Sequence, residues 1–175
     1  MKNQKLIIAS LSLCFFSLML STVNAQDINT RIGGMVAYGT EIENIGIGAN
    51  AEFGIADNLS ISPSFIYYLP KSEGPVKMTW FELNANANYY FIQDDKFDFY
   101  GLGGLNYSSI NVKYDDSAFG GFGSSASASD GRLGLNLGAG ANLNTSGNII
   151  PFAELKYVII DGGQLVLAAG VRFNI

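Results

Sequence analysis

A strict alternation of residue types over twelve positions constrains the fold of this chain most strongly. In NIGIGANAEFGI, residues 44 to 55, every odd-numbered position is Ile, Ala or Phe, and every even-numbered position is Asn, Gly or Glu. Successive side chains of a β-strand point to opposite faces, so this period of two predicts a strand with one apolar and one polar face. If the apolar face points inward, the protein is a soluble barrel or sandwich; if it points outward, the protein lies in a membrane.

The same alternation recurs along the chain and predicts eight strands. Four are clear, at residues 44–55, 78–91, 131–143 and 164–175, and four are noisier, at residues 31–38, 59–69, 97–112 and 149–159. Tight turns rich in Asn, Asp and Gly are expected at 56–58, 93–96 and 144–148, and the other connections at 39–43, 70–77, 113–130 and 161–163. Short turns at one end and mostly longer loops at the other are typical of an up-and-down transmembrane barrel.

The first 25 residues have the features of a secretory signal peptide. Lys2 and Lys5 precede the apolar run LIIASLSLCFFSLML, and Val23-Asn24-Ala25 supplies the small residues of a cleavage site. A lipoprotein signal with Cys14 as lipid acceptor is the alternative, disfavoured because the apolar run continues past that cysteine. We therefore expect a signal peptide at residues 1–25 and one barrel domain at residues 26–175.

Charge and residue counts exclude several function classes. The chain has 10 Lys and Arg against 15 Asp and Glu, no histidine and one cysteine, which lies in the expected signal peptide. No basic patch is present, so a nucleic-acid partner is not expected. After residue 25 no apolar run approaches the length of a transmembrane helix. We expect no metal and no cofactor.

The polar face of the strands indicates which side of the sheet meets water. It consists mostly of Gly, Asn and Ser, and only 14% of the chain is charged. Such small groups suit the crowded lumen of an eight-stranded barrel, which leaves no room for a second hydrophobic core. Aromatic residues on the apolar face fall near both ends of the strands, as in the aromatic belts of membrane barrels. The sequence therefore predicts an all-β, eight-stranded antiparallel up-and-down transmembrane β-barrel in which the eighth strand pairs with the first.

The inward positions carry four positive and four negative side chains. They are Arg31, Glu52, Glu82, Asp98, Arg132, Glu154, Lys156 and Arg172. Charges in a narrow lumen must be paired, so we predict an ion-pair network that plugs the barrel. Arg172, Arg31 and Glu52 should cluster near the turn end, and Glu82, Arg132 and Lys156 near the loop end. Glu154 should lie near mid-depth.

The signal peptide, the eight strands, the short turns and the closing stretch AAGVRFNI resemble the small outer-membrane β-barrel proteins of the OmpX type and the OmpA transmembrane domain. The C-terminal strand is similar to the signal that the barrel-assembly machinery reads, with Gly170 ahead of Phe173 and Ile175. The family usually ends in an aromatic residue, whereas this chain ends in Ile175. The resemblance implies outer-membrane lipid and the assembly machinery as partners, and extracellular proteins or lipopolysaccharide as contacts of the loops.

The longest predicted loop, YDDSAFGGFGSSASASDG, offers two interpretations. Asp115, Asp116 and Asp130 are oxygen ligands of the kind that Ca²⁺ prefers, and Phe119 and Phe122 are apolar contacts for a partner. A flexible, solvated loop is favoured because no metal-loop spacing is present. The resemblance implies that outer-membrane barrels of this size that hydrolyse or transfer lipid acyl groups use a histidine as general base or in a Ser/His arrangement. This chain has no histidine, so we do not expect an enzyme.

The function predicted from sequence is that of an exported outer-membrane barrel with a structural or surface-interaction role. Two alternatives stay open: a small porin-like channel for ions or hydrophobic solutes, and a secreted soluble barrel that binds a ligand.

Overall fold

A computed structural model describes residues 30–73, 76–114 and 126–175 as one closed β-barrel. Its strands are β1 (Thr30–Gly39), β2 (Asn44–Ala56), β3 (Leu59–Glu73), β4 (Val76–Gln93), β5 (Phe97–Tyr114), β6 (Ala126–Leu143), β7 (Ile149–Ile159) and β8 (Gln164–Asn174). Each strand pairs antiparallel with its neighbour in sequence, and β8 pairs with β1 from Arg31↔Asn174 to Gly39↔Val166. The predicted fold is confirmed. In the described part of the chain, no helix has the length and hydropathy needed to cross a membrane.

Four strands extend further at the loop end than the sequence indicates. The β3–β4 ladder continues to Glu73↔Val76 and the β5–β6 ladder to Tyr114↔Ala126. Residues 70–73, 76–77, 113–114 and 126–130 of the expected connections are therefore strand, and residues 74–75 and 115–125 lie outside the described residues. The physical reason is that a sheet projecting beyond the hydrocarbon layer is wet on both faces, so its sequence loses the alternation that marks the rest of each strand.

The exposure of neighbouring residues shows which face points outward. On β6, Leu135 and Leu137 are 53% and 63% exposed, while Asn136 between them is 3% exposed. Exposed Ile, Leu, Val and aromatic side chains cover the outside of the strands, and the Asn, Ser and charged residues between them are mostly buried inside. The predicted outward apolar face is confirmed. The soluble-barrel alternative requires the main apolar face of the strands to point into the barrel. In the described strands this face points outward.

The lumen is not uniformly polar. A buried apolar cluster lies inside it, made of Met35, Ala37, Ile66, Tyr68, Phe152, Val158, Val166 and Ala168. The expectation that no second hydrophobic core fits inside the barrel is therefore wrong. Gly46 and Gly48 make room for this cluster, since a Cβ atom at Gly46 would lie 2.8 Å from Ile66 and one at Gly48 would lie 3.0 Å from Met35.

Candidate functional site in the barrel lumen

Two groups of charged side chains occupy the lumen at different depths. The turn-side cluster comprises Arg31, Glu52, Glu154, Arg172, Tyr90, Tyr100, Ser60 and Asn142. The loop-side cluster comprises Glu82, Lys156, Tyr68, Gln164, Asn84 and Asn106. Each residue occupies an inward position of its strand, and neighbouring strands bring together side chains that are far apart in sequence.

Arg172 is the centre of the turn-side cluster and is completely buried. Its Nη2 lies 2.6 Å from Glu154 Oε1, and its Nη1 lies 3.2 Å from Glu52 Oε2. Nη1 also donates to Asn142 Oδ1 at 2.8 Å, and the guanidinium carbon lies 3.8 Å from the centroid of the Phe152 ring. One planar guanidinium thereby joins two carboxylates and an aromatic face, a geometry that a lysine ammonium does not reproduce.

Glu52 has an ion-pair or hydrogen-bond partner on each of three other strands besides β8. Arg31 Nη1 lies 3.8 Å from Glu52 Oε2, Ser60 Oγ donates to Oε1 at 2.7 Å, and Tyr90 OH also donates to Oε1. Tyr100 OH donates to Glu154 Oε1 at 2.7 Å. The cluster holds two cations and two anions, so its net charge is zero and each buried charge has a partner.

The loop-side cluster is built around Glu82, which is also completely buried. Lys156 Nζ lies 2.9 Å from Glu82 Oε2. Tyr68 OH donates to Glu82 Oε1 at 3.0 Å, and Gln164 Nε2 donates to the same oxygen. Lys156 Nζ also donates to Asn84 Oδ1 at 2.8 Å. This carboxylate is thus held by β3, β7 and β8 although it belongs to β4.

Asparagine side chains extend the loop-side cluster across β4, β5 and β6. Asn106 Nδ2 donates to Asn84 Oδ1 at 2.8 Å, and Asn136 Nδ2 donates to the same oxygen at 2.9 Å and to Asn86 Oδ1 at 2.8 Å. A short side chain with both donor and acceptor groups can bridge adjacent strands in a narrow space. The abundance of inward asparagine follows from this role.

The other predicted inward charges lie apart from these clusters. Asp98 is buried near the turn end and accepts from Asn144 Nδ2 at 2.9 Å. Arg132 does not gather with Glu82 and Lys156 as expected: it pairs with Asp130 at 2.8 Å and donates to the Asp161 carbonyl oxygen at 3.1 Å. Its side chain is 42% exposed because this part of β6 rises beyond the closed part of the lumen.

The predicted loop residues divide between two regions. Asp130 is not in a loop but in β6, where it is the ion-pair partner of Arg132. Asp115, Asp116, Phe119 and Phe122 lie outside the described residues. Within the described residues, no group of three or more Asp, Glu, His or Cys side chains could hold a metal ion.

The residues of the predicted assembly signal lie on β8 and at the chain end. Phe173 points outward and is 42% exposed, and Ile175 is 74% exposed. Gly170 faces inward against β1, where an added Cβ atom would contact the Gly34 carbonyl oxygen and lie 2.8 Å from Met35 Cα. Close packing between β8 and β1 therefore requires glycine here, whatever its part in assembly.

Sequence reasoning missed the tyrosines that bind the lumen carboxylates. Tyr68, Tyr90 and Tyr100 are inward, whereas aromatic residues were expected to mark the two lipid interfaces. The alternation of the strands could have identified them, since each tyrosine lies on an even-numbered position, like the polar residues of its strand.

At the loop end, a cavity of about 370 Å³ lies above the loop-side cluster, lined in part by Trp80, Gln164, Arg132 and Ile160.

Comparisons with known proteins agree with this architecture. The family model described as outer membrane protein beta-barrel domain matches residues 15–173. No curated protein matches the chain. The N-terminal β-barrel domain of Pseudomonas aeruginosa OprF is similar at a TM-score of 0.61 and 16% identity, over 84% of this chain and 97% of that one.

Two other solved structures are similar in fold. A major outer membrane protein from Thermus thermophilus has a TM-score of 0.70 and 11% identity, over 86% of this chain and 100% of that one. Ail, the attachment invasion locus protein of Yersinia pestis, in complex with the heparin analogue sucrose octasulfate, has a TM-score of 0.54 and 22% identity, over 83% of this chain and 97% of that one.

Proposed function

Since this chain belongs to the outer membrane protein β-barrel domain family and resides in the outer membrane, we propose that it is a closed barrel with a structural or surface-interaction role. The observation that carries the proposal is the burial of the lumen side chains. Arg172 and Tyr100 of the turn-side cluster and Glu82 and Tyr68 of the loop-side cluster have no accessible surface. Side chains that line an open pore would be exposed to the water inside it.

The charges of the lumen act in this proposal as a structural plug. An ion permeating the barrel would have to displace buried, mutually paired groups, and breaking such a pair carries a large free-energy cost. The neutral charge of each cluster also provides no excess attraction for cations or anions. Each cluster joins side chains from several strands, and in this way it fixes the register and spacing of the strands around the barrel.

The part of the barrel beyond the membrane supports a role in surface contact. On β6, pairing with β7 ends at Leu135↔Ile159, while pairing with β5 continues to Ala126. The intervening stretch of β6 has one edge without a strand beside it in the described structure, and such an edge is a template for contact with another chain. The complex of Ail with a heparin analogue is a precedent for ligand binding by a barrel of this fold.

Export and assembly complete the proposal. Residues 1–25 would direct the chain across the inner membrane, and the barrel-assembly machinery would read Gly170 and Phe173 of β8 together with Ile175. We propose no catalytic role, because the sequence has no histidine and the buried carboxylates are committed to structural partners. Extracellular proteins or lipopolysaccharide are the proposed partners of the loop end.

Conductance of the purified barrel in planar bilayers tests the closed lumen against the channel alternative. We expect no steady unitary conductance from the wild-type protein. A variant in which Arg172 and Tyr100 are both replaced by Ala serves as the positive control, provided that it still shows the heat-modifiable gel mobility of a folded barrel. Steady, ion-selective channels from the wild type would favour the porin-like alternative and contradict the proposal.

A further inference from the structure

The cavity of about 370 Å³ at the loop end has walls that are mostly apolar. Trp80 of β4 and Ile110 of β5 are opposite each other in the ladder and lie on inward positions, so these walls belong to the inside of the barrel and not to its lipid-facing surface. Small-molecule sites in proteins have volumes of about 300–1,000 Å³ and largely apolar linings. The apolar residues that line this cavity are Ile42, Leu69, Met78, Trp80, Ile110 and Ile160.

The floor of the cavity is the loop-side cluster. Gln164 lines the cavity, is 2% exposed, and donates through Nε2 to the buried Glu82. Tyr68, which also donates to Glu82, packs its ring edge-on against Trp80, with the ring centroids 6.5 Å apart. The cavity therefore ends at a layer of buried, hydrogen-bonded side chains and opens toward the loop end.

Two turns stand at the mouth of the cavity. Glu41 belongs to the turn between β1 and β2, and Asp161 to the turn between β7 and β8. Backbone N–H of Thr40 donates to the Leu165 carbonyl oxygen at 2.9 Å, and N–H of Leu165 donates to Thr40 Oγ1 at 3.0 Å. These bonds hold the first turn against the start of β8, so the mouth is formed before any ligand arrives.

Charged side chains of both signs line the mouth, and the positive ones already have partners. Lys71 Nζ lies 3.7 Å from Glu43 Oε2, and Arg132 Nε lies 2.8 Å from Asp130 Oδ2. Neither cation is therefore available to attract an anion into the cavity. The charged residues that line the cavity are Glu41, Lys71, Arg132 and Asp161.

The two negative side chains are exposed and uncompensated. Within the described residues, no Lys or Arg forms a salt bridge with Glu41 or Asp161, and Arg132 donates to the backbone carbonyl oxygen of Asp161 at 3.1 Å. Together with the partners Glu43 and Asp130, the mouth has four carboxylates and two cations, a net charge of −2. The mouth therefore attracts positive charge.

We propose that this cavity binds small organic cations in which an ammonium group is attached to an apolar body. The apolar body packs against Trp80, Ile42 and Ile160, and its removal from water supplies most of the affinity. The ammonium group stays at the mouth, where Glu41 and Asp161 select for positive charge. An anion with the same apolar body is repelled. This site adds a ligand-binding function to the structural or surface-contact role of the barrel.

Fluorescence of the barrel in phosphatidylcholine nanodiscs tests the site, because Trp80 lines the cavity and is the only tryptophan of the sequence. The probes are 4-phenylbutylamine, 4-phenylbutanol and 4-phenylbutyrate, which share one apolar body and differ in charge. We expect a saturable change of the Trp80 emission with the amine. The alcohol should bind about tenfold more weakly, as expected for the loss of two exposed ion pairs, and the carboxylate should give no saturable change.

Substitutions at the mouth separate the carboxylates from the apolar walls. E41Q and D161S should each weaken binding of the amine about threefold, and E41Q/D161S about tenfold, while binding of the alcohol stays unchanged. D95S is the matched control because it removes an exposed carboxylate at the turn end, and it should leave binding of both probes unchanged. Heat-modifiable gel mobility verifies that each variant is folded.

Three results would overturn the proposal. An emission change that rises in proportion to probe concentration without saturating would indicate partition into lipid only. Equal affinity of the wild type for the amine and the alcohol, or equal weakening by D95S and D161S, would show that the mouth carboxylates do not select the ligand. Channel conductance by the wild type would contradict the closed lumen, but with the expected binding ratios intact it would leave this site supported.

Discussion

Arg172 Nη2 lies 2.6 Å from Glu154 Oε1 inside the barrel, and the arginine has no accessible surface. The same guanidinium lies 3.2 Å from Glu52. Replacing Arg172 with Met would leave two carboxylates in the lumen with fewer compensating charges. We expect the free energy of unfolding to fall by about 3 to 5 kcal/mol, measured by urea titration of the barrel in lipid vesicles.

Arg132 provides the control for this substitution. Its ion pair with Asp130 is 2.8 Å long, but the side chains are 42% and 61% exposed. The Arg132→Met variant should lose less than about 1 kcal/mol, since water screens exposed pairs. If Arg172→Met costs no more than Arg132→Met, the lumen carboxylates do not depend on Arg172.

The pair of Glu82 and Lys156 is suited to a double-mutant cycle. Glu82→Gln and Lys156→Met each remove one partner of a buried pair, whereas the double variant removes both charges. The double variant should cost about 1 to 3 kcal/mol less than the sum of the single variants. Equilibrium unfolding of the four proteins gives this coupling energy.

An exposed pair at the loop end is the matched comparison for that cycle. Lys71 Nζ lies 3.7 Å from Glu43 Oε2, with side chains 40% and 71% exposed. Its coupling energy should be below about 1 kcal/mol. Additive effects of Glu82→Gln and Lys156→Met would show that the two buried charges are stabilised independently.

Glycine at position 140 preserves space for Tyr100. A Cβ atom there would lie 2.5 Å from the Tyr100 hydroxyl oxygen, which donates to Glu154. Gly140→Ala should therefore destabilise the barrel by about 1 to 3 kcal/mol through overpacking. Gly101 of β5 pairs with Ala139, the residue before Gly140 on β6. A Cβ atom added to Gly101 would have no contact within 4 Å. Gly101→Ala should change the free energy of unfolding by less than about 0.5 kcal/mol. The same urea titration measures both variants. Similar losses of stability in Gly140→Ala and Gly101→Ala would contradict the packing explanation.

The sequence predicted the strands best where one face meets lipid. Over residues 44–55 of β2 and 133–143 of β6 the apolar residues alternate without interruption, because hydrocarbon on one side and a polar lumen on the other impose opposite requirements on successive residues. The upper parts of β3 and β5 have no such contrast. Their continuation to Glu73 and Tyr114 depends on pairing with β4 and β6, which the residue pattern does not record.

The composition of the lumen was easier to predict than its contacts. Parity alone places Glu82 and Lys156 inside, but their 2.9 Å contact joins residues 74 positions apart and depends on how far the strands are staggered around the barrel. Stagger also explains why Arg132, on an inward position, lies too far toward the loop end to reach Glu82. Tyr100 went unrecognised because aromatic side chains are common on both lipid-facing and lumen-facing positions.

Chemical labelling of one lumen side chain tests the closed barrel most directly. Ser62 faces the lumen and is 4% exposed, Ser146 lies in an exposed turn, and the only cysteine of the sequence is Cys14, ahead of the barrel. In the protein produced without residues 1–25, Ser146→Cys should react completely with a hydrophilic maleimide, while Ser62→Cys should stay unlabelled until urea unfolds the barrel. Labelling of Ser62→Cys in the folded protein at the rate of Ser146→Cys would mean that water fills the lumen, and it would contradict the closed-barrel account.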